Sequence, residues 1–572
     1  MEEKQEQLVQ ETEQNVSDFD ANAEANGDTA MLTPEKKPAN KFIAKLDGFF
    51  GVSKSGSNFK TEIMAGVTTF MAMAYILMVN PSILSSTNGA LNSAFYIATA
   101  LGAIVGTLMM SLYAKYPFAQ APGMGLNAFF AFTIVGVGCA NMSVSNGLFI
   151  ILISGVLFLV LTLVGVREKI VECIPKAVRQ AIPVGIGLFI AFLGLQNCGA
   201  IVGDPSTLVK LQSFNVFGQG FDIAVVYPVI ITLITFIAIA VMSKLKIRGA
   251  MLWGILGGAV IYYVFGYAGG FGGAENFPKW GEMLVNPGDA FVSWGKDLVG
   301  QVFVSGWNFS GQNAADVALV IITGVLSFAM VDMFDTIGTL LGTAQRANML
   351  DENGNLPRMK QALLADSVAT CAGAVFGTTT VTTFVESSAG VAEGGRTGLT
   401  SLVTAGLFFI AMFLTPLAQI VPSCATAAAL IYVGVLMMSS VKNIDFTDAL
   451  SAVPAFLTIA MMAFTYNISY GIGLGLISHC LIMLGTGKYF GLGKEFKKKV
   501  KAVATNVNET ETLENASANV TLDATSTENA EENVKVEDNN DAELLPKTYY
   551  LKKEYVTIII SVIFILLFIF TH

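Results

Sequence analysis

Long apolar blocks, separated by short polar connections, fill the chain between residues 62 and 486. A helix needs about 20 residues to cross the hydrocarbon core of a bilayer, and these blocks have about that length. We predict an all-α membrane protein with fourteen crossing segments. They are 62–80, 93–113, 120–138, 146–166, 177–196, 224–243, 249–267, 315–341, 361–377, 379–395, 398–420, 423–440, 452–467 and 469–486. A shorter apolar stretch, Val556–Phe570, either crosses the membrane with the help of Tyr549–Tyr555 or lies at its interface.

The Lys and Arg residues predict the orientation of these segments. Thirteen of the sixteen that lie between segments follow even-numbered ones, and the other three are Lys210, Lys279 and Lys296. Cytoplasmic loops are enriched in Lys and Arg. We therefore expect a multi-pass protein of the cell membrane with its N-terminus in the cytoplasm. One miscounted segment would have destroyed this alternation, which supports the number fourteen.

Fourteen segments divide into two sets of seven around a long loop. Because seven is odd, the second set crosses the membrane in the opposite sense, which is the inverted-repeat plan of many secondary transporters. The organisation that we predict is a disordered acidic tail (1–45), a first repeat (46–267), an extracellular loop (268–314), a second repeat (315–487), a basic flank with a disordered acidic cytoplasmic segment (488–548), and a C-terminal hydrophobic segment (549–572).

The composition agrees with a membrane protein: 53% of the residues are hydrophobic and 13% are charged, whereas soluble proteins have about 25% charged residues. The formal net charge of −10 comes from the tails, because residues 1–30 and 502–546 together carry −18. Both stretches are poor in large apolar residues, as disordered segments are. The acidity of the chain therefore gives no information about a ligand.

The cysteines and histidines predict neither a metal site nor a disulfide framework. Six cysteines are scattered along the apolar segments, and the two histidines are His479 and His572. Neither a Cys-x-x-Cys pair nor a Cys/His cluster occurs. We expect no metal and no cofactor, and we expect His479 to be a packed histidine.

The third and tenth segments cannot be ordinary helices. The third opens with two prolines and two glycines within Tyr116–Asn127, which predicts an extended stretch at Gln120–Gly123 and a half-helix from about Gly125. The tenth opens with five threonines within Thr378–Thr383, which favour a strand, and Glu386 would begin a half-helix behind it. Two half-helix N-termini would offer free N–H groups and positive dipole ends to a polar ligand.

Acidic residues within the segments are the strongest sign of function. Asp332, Asp335 and Thr339 lie at i, i+3 and i+7 of the eighth segment, and Glu386 lies in the tenth. An acid at the centre of a membrane helix costs roughly 2.5–3.5 kcal/mol on insertion scales, so such groups seldom persist without a role. These segments contain no Lys or Arg that could form a salt bridge, which favours the protonated state. Asp366 lies closer to a loop, and we expect it to be structural.

Six motifs resemble those of the AzgA-like adenine/guanine/hypoxanthine permeases. They are Glu62–Pro81 (EIMAGVTTFMAMAYILMVNP), Ala121–Phe130 (APGMGLNAFF), Val331–Thr339 (VDMFDTIGT), Leu364–Ser367 (LADS), Thr382–Ser387 (TTFVES) and Gly394–Thr400 (GGRTGLT). The resemblance covers about residues 48 to 487. It implies the fold of the uracil and xanthine permeases, with segments 1–4 and 8–11 as a moving core and 5–7 and 12–14 as a gate.

The resemblance also implies the functional residues. It places a purine base between core and gate, on the third, eighth and tenth segments, with import driven by proton symport. The implied substrate-binding residues are Asp335, Glu386, Asn127, Asp332, Thr383, Ser387 and Gly125, and the implied proton-coupling residues are Asp332, Glu386 and Thr339. In the uracil permeases a histidine stands at the place of Thr339, so the resemblance leaves the route of the proton open.

Several other functions are alternatives to a purine permease. The nearest is the transport of uracil, xanthine or an inorganic anion on the same fold, and an anion carrier would place neutral or basic groups at Asp335 and Glu386. An intramembrane aspartyl protease also buries two acids, but its Gly-x-Gly-Asp motif is absent. A proton channel would not need paired broken helices. We therefore expect a transporter and not an enzyme, with a purine base, a proton and the lipid bilayer as partners, a possible homodimer, and no nucleic acid.

Overall fold

The apolar segments fold into a bundle of helices that meet around two short, centrally placed strands. The computed structural model describes residues 41–135, 142–165, 174–214, 223–269, 286–309, 314–347, 349–351, 356–415, 420–486, 557–558 and 560–562. The predicted acidic tails, 1–45 and 488–548, lie outside these residues except for 41–45. Helix α1 (Lys41–Phe50) belongs to a separate N-terminal unit, Met1–Gly51.

The first half of the remaining chain contains eight helices and three strands within the described residues. The helices are α2 (Phe59–Met73), α3 (Ile76–Leu84), α4 (Asn92–Met109), α5 (Met124–Ala128), α6 (Val144–Val164), α7 (Lys176–Asn197), α8 (Ile223–Lys244) and α9 (Ala250–Gly269), and the strands are β1 (Gln120–Pro122), β2 (Ile201–Asp204) and β3 (Leu208–Leu211). Short π-helical turns, Met110–Ala114 and Phe129–Ile134, prolong α4 and α5.

The second half adds nine helices and one strand within the described residues. The helices are α10 (Pro287–Asp297), α11 (Gln301–Val304), α12 (Ala314–Arg346), α13 (Met359–Phe376), α14 (Ser387–Ala392), α15 (Gly398–Ala411), α16 (Ser423–Met437), α17 (Ala449–Phe464) and α18 (Ile468–Gly485), and the strand is β4 (Val381–Thr383). Every predicted apolar segment between residues 62 and 486 overlaps one of these helices or strands.

Nine helical stretches within the described residues have the length and composition to cross a membrane, and three shorter apolar helices accompany them, namely Met124–Ile134, Gly398–Leu414 and Ala449–Phe464. The chain is therefore a helical, multi-pass membrane protein, as its hydrophobic pattern predicted.

Two connections contain helices or strands that the sequence pattern did not predict. The predicted loop 268–314 contains α10, which begins after Asn286 with Pro287 at its first position, and α11. A hairpin of β2 and β3 follows α7, and the Lys210 ammonium, 2.8 Å from Asp204, lowers the pKa of that carboxyl to about 2 together with nearby backbone N–H groups.

Several Lys and Arg residues counted between the predicted segments lie inside helices, near their ends, such as Lys244 in the last turn of α8 and Lys360 in the first turn of α13. Lys176 and Arg179 lie in the first turn of α7, which begins after Pro175. Both remain at a helix end, so the alternation of charge between connections is unaffected.

The start of the first membrane segment is joined to the start of the eleventh by Glu62. This side chain is fully buried. Its carboxylate accepts hydrogen bonds from the backbone N–H groups of Arg396 (3.0 Å) and Thr397 (3.3 Å), and from the hydroxyls of Thr397 (2.9 Å) and Thr400 (2.6 Å). The motif Gly394–Thr400 therefore supplies the hydrogen-bond donors that hold this carboxylate of α2.

Replacing Glu62 with Ala is expected to lower the free energy of unfolding by about 2–6 kcal/mol, because the N–H donors of Arg396 and Thr397 both lose their acceptor and each costs about 1–3 kcal/mol. The thermal unfolding of the purified protein in detergent measures this loss. Glu393→Ala is the matched control, since Glu393 pairs with Arg248 (2.6 Å) where both side chains are partly exposed, and such pairs contribute little. Equal melting temperatures for the two variants would contradict this assignment.

The described part of the C-terminal hydrophobic segment packs against the last helix of the bundle. Thr557 and Ser561 are buried, and the Ser561 hydroxyl lies 3.1 Å from the Cys480 sulfur in α18. The start of this segment is therefore attached to the second half of the protein.

Candidate functional site

The two predicted extended stretches meet in the middle of the bundle as a two-stranded antiparallel sheet. In its register Gln120 is opposite Thr383, Ala121 is opposite Thr382, and Pro122 is opposite Val381. Pro122 cannot donate a backbone hydrogen bond. Beyond each end of the pair, Gly123 N donates to Thr380 O (3.0 Å) and Phe384 N donates to Ala119 O (3.1 Å). The third and tenth segments are thus joined, although about 260 residues separate them.

Glycines on the neighbouring helices let this strand pair lie deep in the bundle. A Cβ on Gly106 of α4 would lie 2.8 Å from Val381 Cγ1, and a Cβ on Gly373 of α13 would lie 2.8 Å from Thr379 O. Both distances are shorter than the separation of two non-bonded heavy atoms in contact. Helices α4 and α13 can therefore approach the strand pair this closely only because these positions have no side chain.

Only the first of the two half-helix N-termini is open. Helix α5 starts after Gly123, has no side-chain cap, and makes its first helical hydrogen bond from Asn127 N to Gly123 O (2.9 Å). The N–H groups of Met124, Gly125 and Leu126 precede that bond, as they do at any helix start.

The expectation of a second open N-terminus is wrong. At the start of α14, the N–H groups of Ser387, Ser388 and Ala389 each donate to the carbonyl three residues before them, at 3.1, 2.9 and 2.9 Å. This tight turn satisfies the donors that a regular helix would leave free. What the tenth segment presents is the Glu386 side chain.

Among the acids of the eighth to tenth segments, Asp335 and Glu386 are partly exposed, and Asp332 and Asp366 are buried. Asp335 lies on α12, which packs against α14, the half-helix that follows Glu386. It also faces the start of α5, since its Oδ2 would lie 3.8 Å from a Cβ on Gly123. Glu386 accepts a hydrogen bond at Oε1 from the Tyr75 hydroxyl (2.7 Å). The partly exposed carboxylates of Asp335 and Glu386 and the start of α5 thus border the surface that we call the open space.

Asp332 and Thr339, which the spacing placed on the face of Asp335, are both buried, at 0% and 5% exposure. The structure therefore separates the acids of α12 into an accessible one, Asp335, and an inaccessible one, one turn before it.

Asp366 does not fit the expectation of an acid near a loop. It is fully buried and accepts hydrogen bonds from the Thr336 hydroxyl (2.8 Å) and the Gln120 amide (3.5 Å). Thr336 also contacts the hydroxyl of Thr382 (2.7 Å). Asp366 thus belongs to a network that connects α12 and α13 to both strands. A polar stripe at Asp366, Ser367 and Thr370 was the sequence signal for it.

Three other predicted site residues hold the strand pair and do not line the open space. Asn127 is fully buried, donates to Pro122 O (3.4 Å) and accepts from the Thr379 hydroxyl. Thr383 accepts from the Gln120 amide (3.3 Å), and Ser387 accepts from Ala119 N (3.0 Å). Gly125 is partly exposed, and a Cβ there would meet Ile186 of α7.

The open space continues along α12 towards its C-terminal end. Gly338 and Gly342 follow Asp335 on the same face and are exposed, and a Cβ at either would meet no atom within 4 Å. In the opposite direction every residue from Ser327 to Phe334 is buried. The site is therefore accessible from one end of α12 and closed from the other.

At the closed end, the π-helical turn Phe129–Ile134 and helix α12 contact α18 and the residue Tyr466 just before it. The Thr133 hydroxyl donates to Tyr466 O (2.9 Å), and the Tyr466 ring packs edge-on against Phe132 and Phe189, with ring centroids 6.2 and 5.5 Å away. The hydroxyls of Ser327 and Ser469 are in direct contact and buried.

The chain is similar to known permeases over most of its length. Residues 60–474 match the profile of a family described as a permease family. The chain is 38% identical over 443 residues to the adenine permease AdeP of Escherichia coli, which covers 77% of this chain and 91% of AdeP. It is 40% identical over 445 residues to the guanine/hypoxanthine permease PbuO of Bacillus subtilis, which covers 77% of this chain and 95% of PbuO.

Among solved structures, the chain is similar to the transmembrane domain of the cyanobacterial bicarbonate transporter BicA. The TM-score is 0.53 at 14% identity, over 72% of this chain and 97% of that domain. At this level of identity the likeness extends to the fold alone.

Proposed function

We propose a substrate and a mechanism on the premise that the chain belongs to the AzgA-like permease family and is a multi-pass membrane transporter, not an enzyme. The substrate is a purine nucleobase, one of hypoxanthine, guanine and adenine. The observation that carries this proposal is the pair of partly exposed carboxylates, Asp335 and Glu386, beside the open N-terminus of α5.

The chemistry of a purine base suits this site. The base is planar and neutral, and its edge carries N–H donors together with ring or carbonyl acceptors. A carboxylate can accept two adjacent N–H groups at once, and such charge-assisted bonds are the stronger kind. Asp335 and Glu386 accept from the base, and the N–H groups at Gly125 donate to it. The alternative is a uracil or xanthine permease on the same fold, which would use the same acids.

The remaining predicted residues act behind the base. Asn127, Thr383 and Ser387 hold the strand pair in register, and Asp332 with Thr339 lies one layer deeper in α12. Asp332 and Glu386 exchange the proton: Glu386 can reach solvent, and the Asp332 charge is close enough to Asp335 to couple the two acids.

Fourteen crossings in two inverted repeats of seven form the architecture that we propose, with segments 1–4 and 8–11 as the core. Two observations support it. The strands that pair come from the third and tenth segments, which are equivalent positions in two sets of seven, and their antiparallel pairing suits a two-fold relation. Each strand is followed by a short helix.

Transport on this plan moves the core past the gate, as an elevator. With the N-terminus in the cytoplasm, the C-terminal end of α12 is cytoplasmic, so the structure corresponds to a state open to the cytoplasm. The contacts at the closed end, Thr133–Tyr466 and Ser327–Ser469, connect core to gate and have to separate before the site can open outwards.

A cysteine pair at positions 327 and 469 is expected to lock the transporter. The two serine hydroxyls touch, so two sulfur atoms there lie within bonding range. In a background without the native cysteines, oxidation of Ser327→Cys/Ser469→Cys should abolish uptake, and a reductant should restore it. The control is Ser327→Cys alone with the same oxidation. Undiminished uptake by the fully cross-linked protein would contradict motion between these helices.

The proposed function is tested by radiolabelled hypoxanthine uptake in a host that lacks its own purine transporters. Uptake should be saturable, should be competed by unlabelled purine bases more strongly than by uracil, and should collapse with a protonophore. Competition by uracil or xanthine alone would favour the alternative, and insensitivity to the protonophore would overturn proton symport.

A further inference from the structure

The first membrane segment supplies a buried tyrosine to the site. Helix α2 ends at Met73 and α3 begins at Ile76, and the backbone between them changes to bonds three residues apart, from Leu77 N to Ala74 O (3.2 Å) and from Met78 N to Tyr75 O (3.0 Å). Tyr75 lies at this break and is fully buried. Its hydroxyl donates to Glu386 Oε1 (2.7 Å), across 311 positions of sequence.

The break is held in place on both sides. Before it, α2 packs tightly on α14, because a Cβ on Gly390 would collide with the Thr69 hydroxyl and the Ala65 carbonyl. After it, the Asn80 amide of α3 donates to the hydroxyls of Thr99 (2.7 Å) and Thr378 (3.3 Å). The Tyr75 hydroxyl is therefore delivered to Glu386 by a rigid frame and not by a mobile side chain.

We infer that Tyr75 is the positioning residue of Glu386: its hydroxyl occupies Oε1, fixes the plane of the carboxylate, and leaves Oε2 directed at the open space. This inference rests on the proposed function, since it assigns to Tyr75 the orientation of an acid that binds the base. A carboxylate that already has one partner pays less entropy to accept from a ligand.

The alternative role for this hydroxyl is structural, as a buried phenol that merely finds an acceptor. The chain contains a matched tyrosine with that role. Tyr96 in α4 is 3% exposed, and its hydroxyl donates to the backbone carbonyl of Ala411 at the same 2.7 Å. Tyr75→Phe and Tyr96→Phe thus remove the same oxygen from equally buried sites, but only Tyr75 contacts an acid of the site.

The test is hypoxanthine uptake and binding by these two variants, normalised to folded protein. Tyr75→Phe should raise KM and Kd by up to about tenfold, because the carboxylate that Tyr75 no longer holds has to be ordered when the base binds, and should change Vmax by less than about twofold. Tyr96→Phe should leave KM unchanged even if it lowers the melting temperature. An unchanged KM in Tyr75→Phe would overturn the inference.

A double variant tests whether Tyr75 acts on binding through Glu386. In Glu386→Asp the shorter acid no longer reaches Tyr75, so adding Tyr75→Phe should change Kd by less than about twofold. A further tenfold loss in the double variant would show that Tyr75 acts through another group. Failure of the proposed function looks different, because then neither Glu386→Gln nor Tyr75→Phe would alter hypoxanthine binding.

Discussion

Glu386→Gln is expected to abolish purine uptake while the protein still inserts and folds. Gln has the volume of Glu but carries no negative charge, so it can neither make a charge-assisted hydrogen bond to the base nor exchange a proton. A hydrogen bond to a charged group contributes about 1.5–3 kcal/mol, so losing it lowers binding by about tenfold to 100-fold. Uptake of radiolabelled hypoxanthine by cells with equal surface expression measures the effect.

Glu393→Gln is the control for this variant. Glu393 ends the same half-helix but is partly exposed and pairs with Arg248, so its replacement should leave uptake near the wild-type level. Normal hypoxanthine accumulation by Glu386→Gln would remove Glu386 from the binding site.

Asp335→Asn is expected to lose binding, and Asp332→Asn is expected to lose only the coupling of transport to the proton gradient. Asp335 is partly exposed and faces the start of α5, whereas Asp332 is fully buried one turn earlier. A buried acid cannot touch the base but can interact with the charge of Asp335, about 5–6 Å away for this spacing. Asp335→Asn should therefore raise Kd by about 100-fold, and Asp332→Asn by less than about threefold.

Two measurements separate these roles. Calorimetry on the purified variants gives Kd for hypoxanthine, and proteoliposomes give exchange and uphill accumulation. Asp332→Asn should exchange labelled for unlabelled base but should not accumulate it against a gradient. Asp289→Asn, an exposed acid in the first turn of α10, controls for a change of charge. If Asp335→Asn binds normally and Asp332→Asn does not, the two roles are reversed.

The positions of the membrane segments, the extended stretches at the third and tenth, and the candidate acids could all be predicted from the sequence. These features depend on local physics. A bilayer requires long apolar helices, prolines, glycines and threonines prevent regular helix where they cluster, and an acid within an apolar segment is costly wherever it is.

The roles of individual polar residues depended on contacts between distant parts of the chain. Asp366 was expected to be structural and close to a loop; its role is structural, but the folding of α13 onto the strand pair buries it beside Gln120 and Thr336. Asn127 looked like a ligand-binding residue, but its amide is engaged by Thr379 and Pro122. Tyr75 lies in a segment of apolar residues, where no local pattern indicates a functional role.

By itself, therefore, the sequence determined where long apolar helices form, where helices break and which residue types are candidates for the chemistry, because each of these follows from a short stretch of side chains and the solvent around it. The tertiary structure alone decided the strand register, the open start of α5 against the closed start of α14, and the division of the acids into accessible and buried ones. The physical reason is that exposure and hydrogen-bond partners are properties of packing between segments about 260 to 310 residues apart, which no local pattern records.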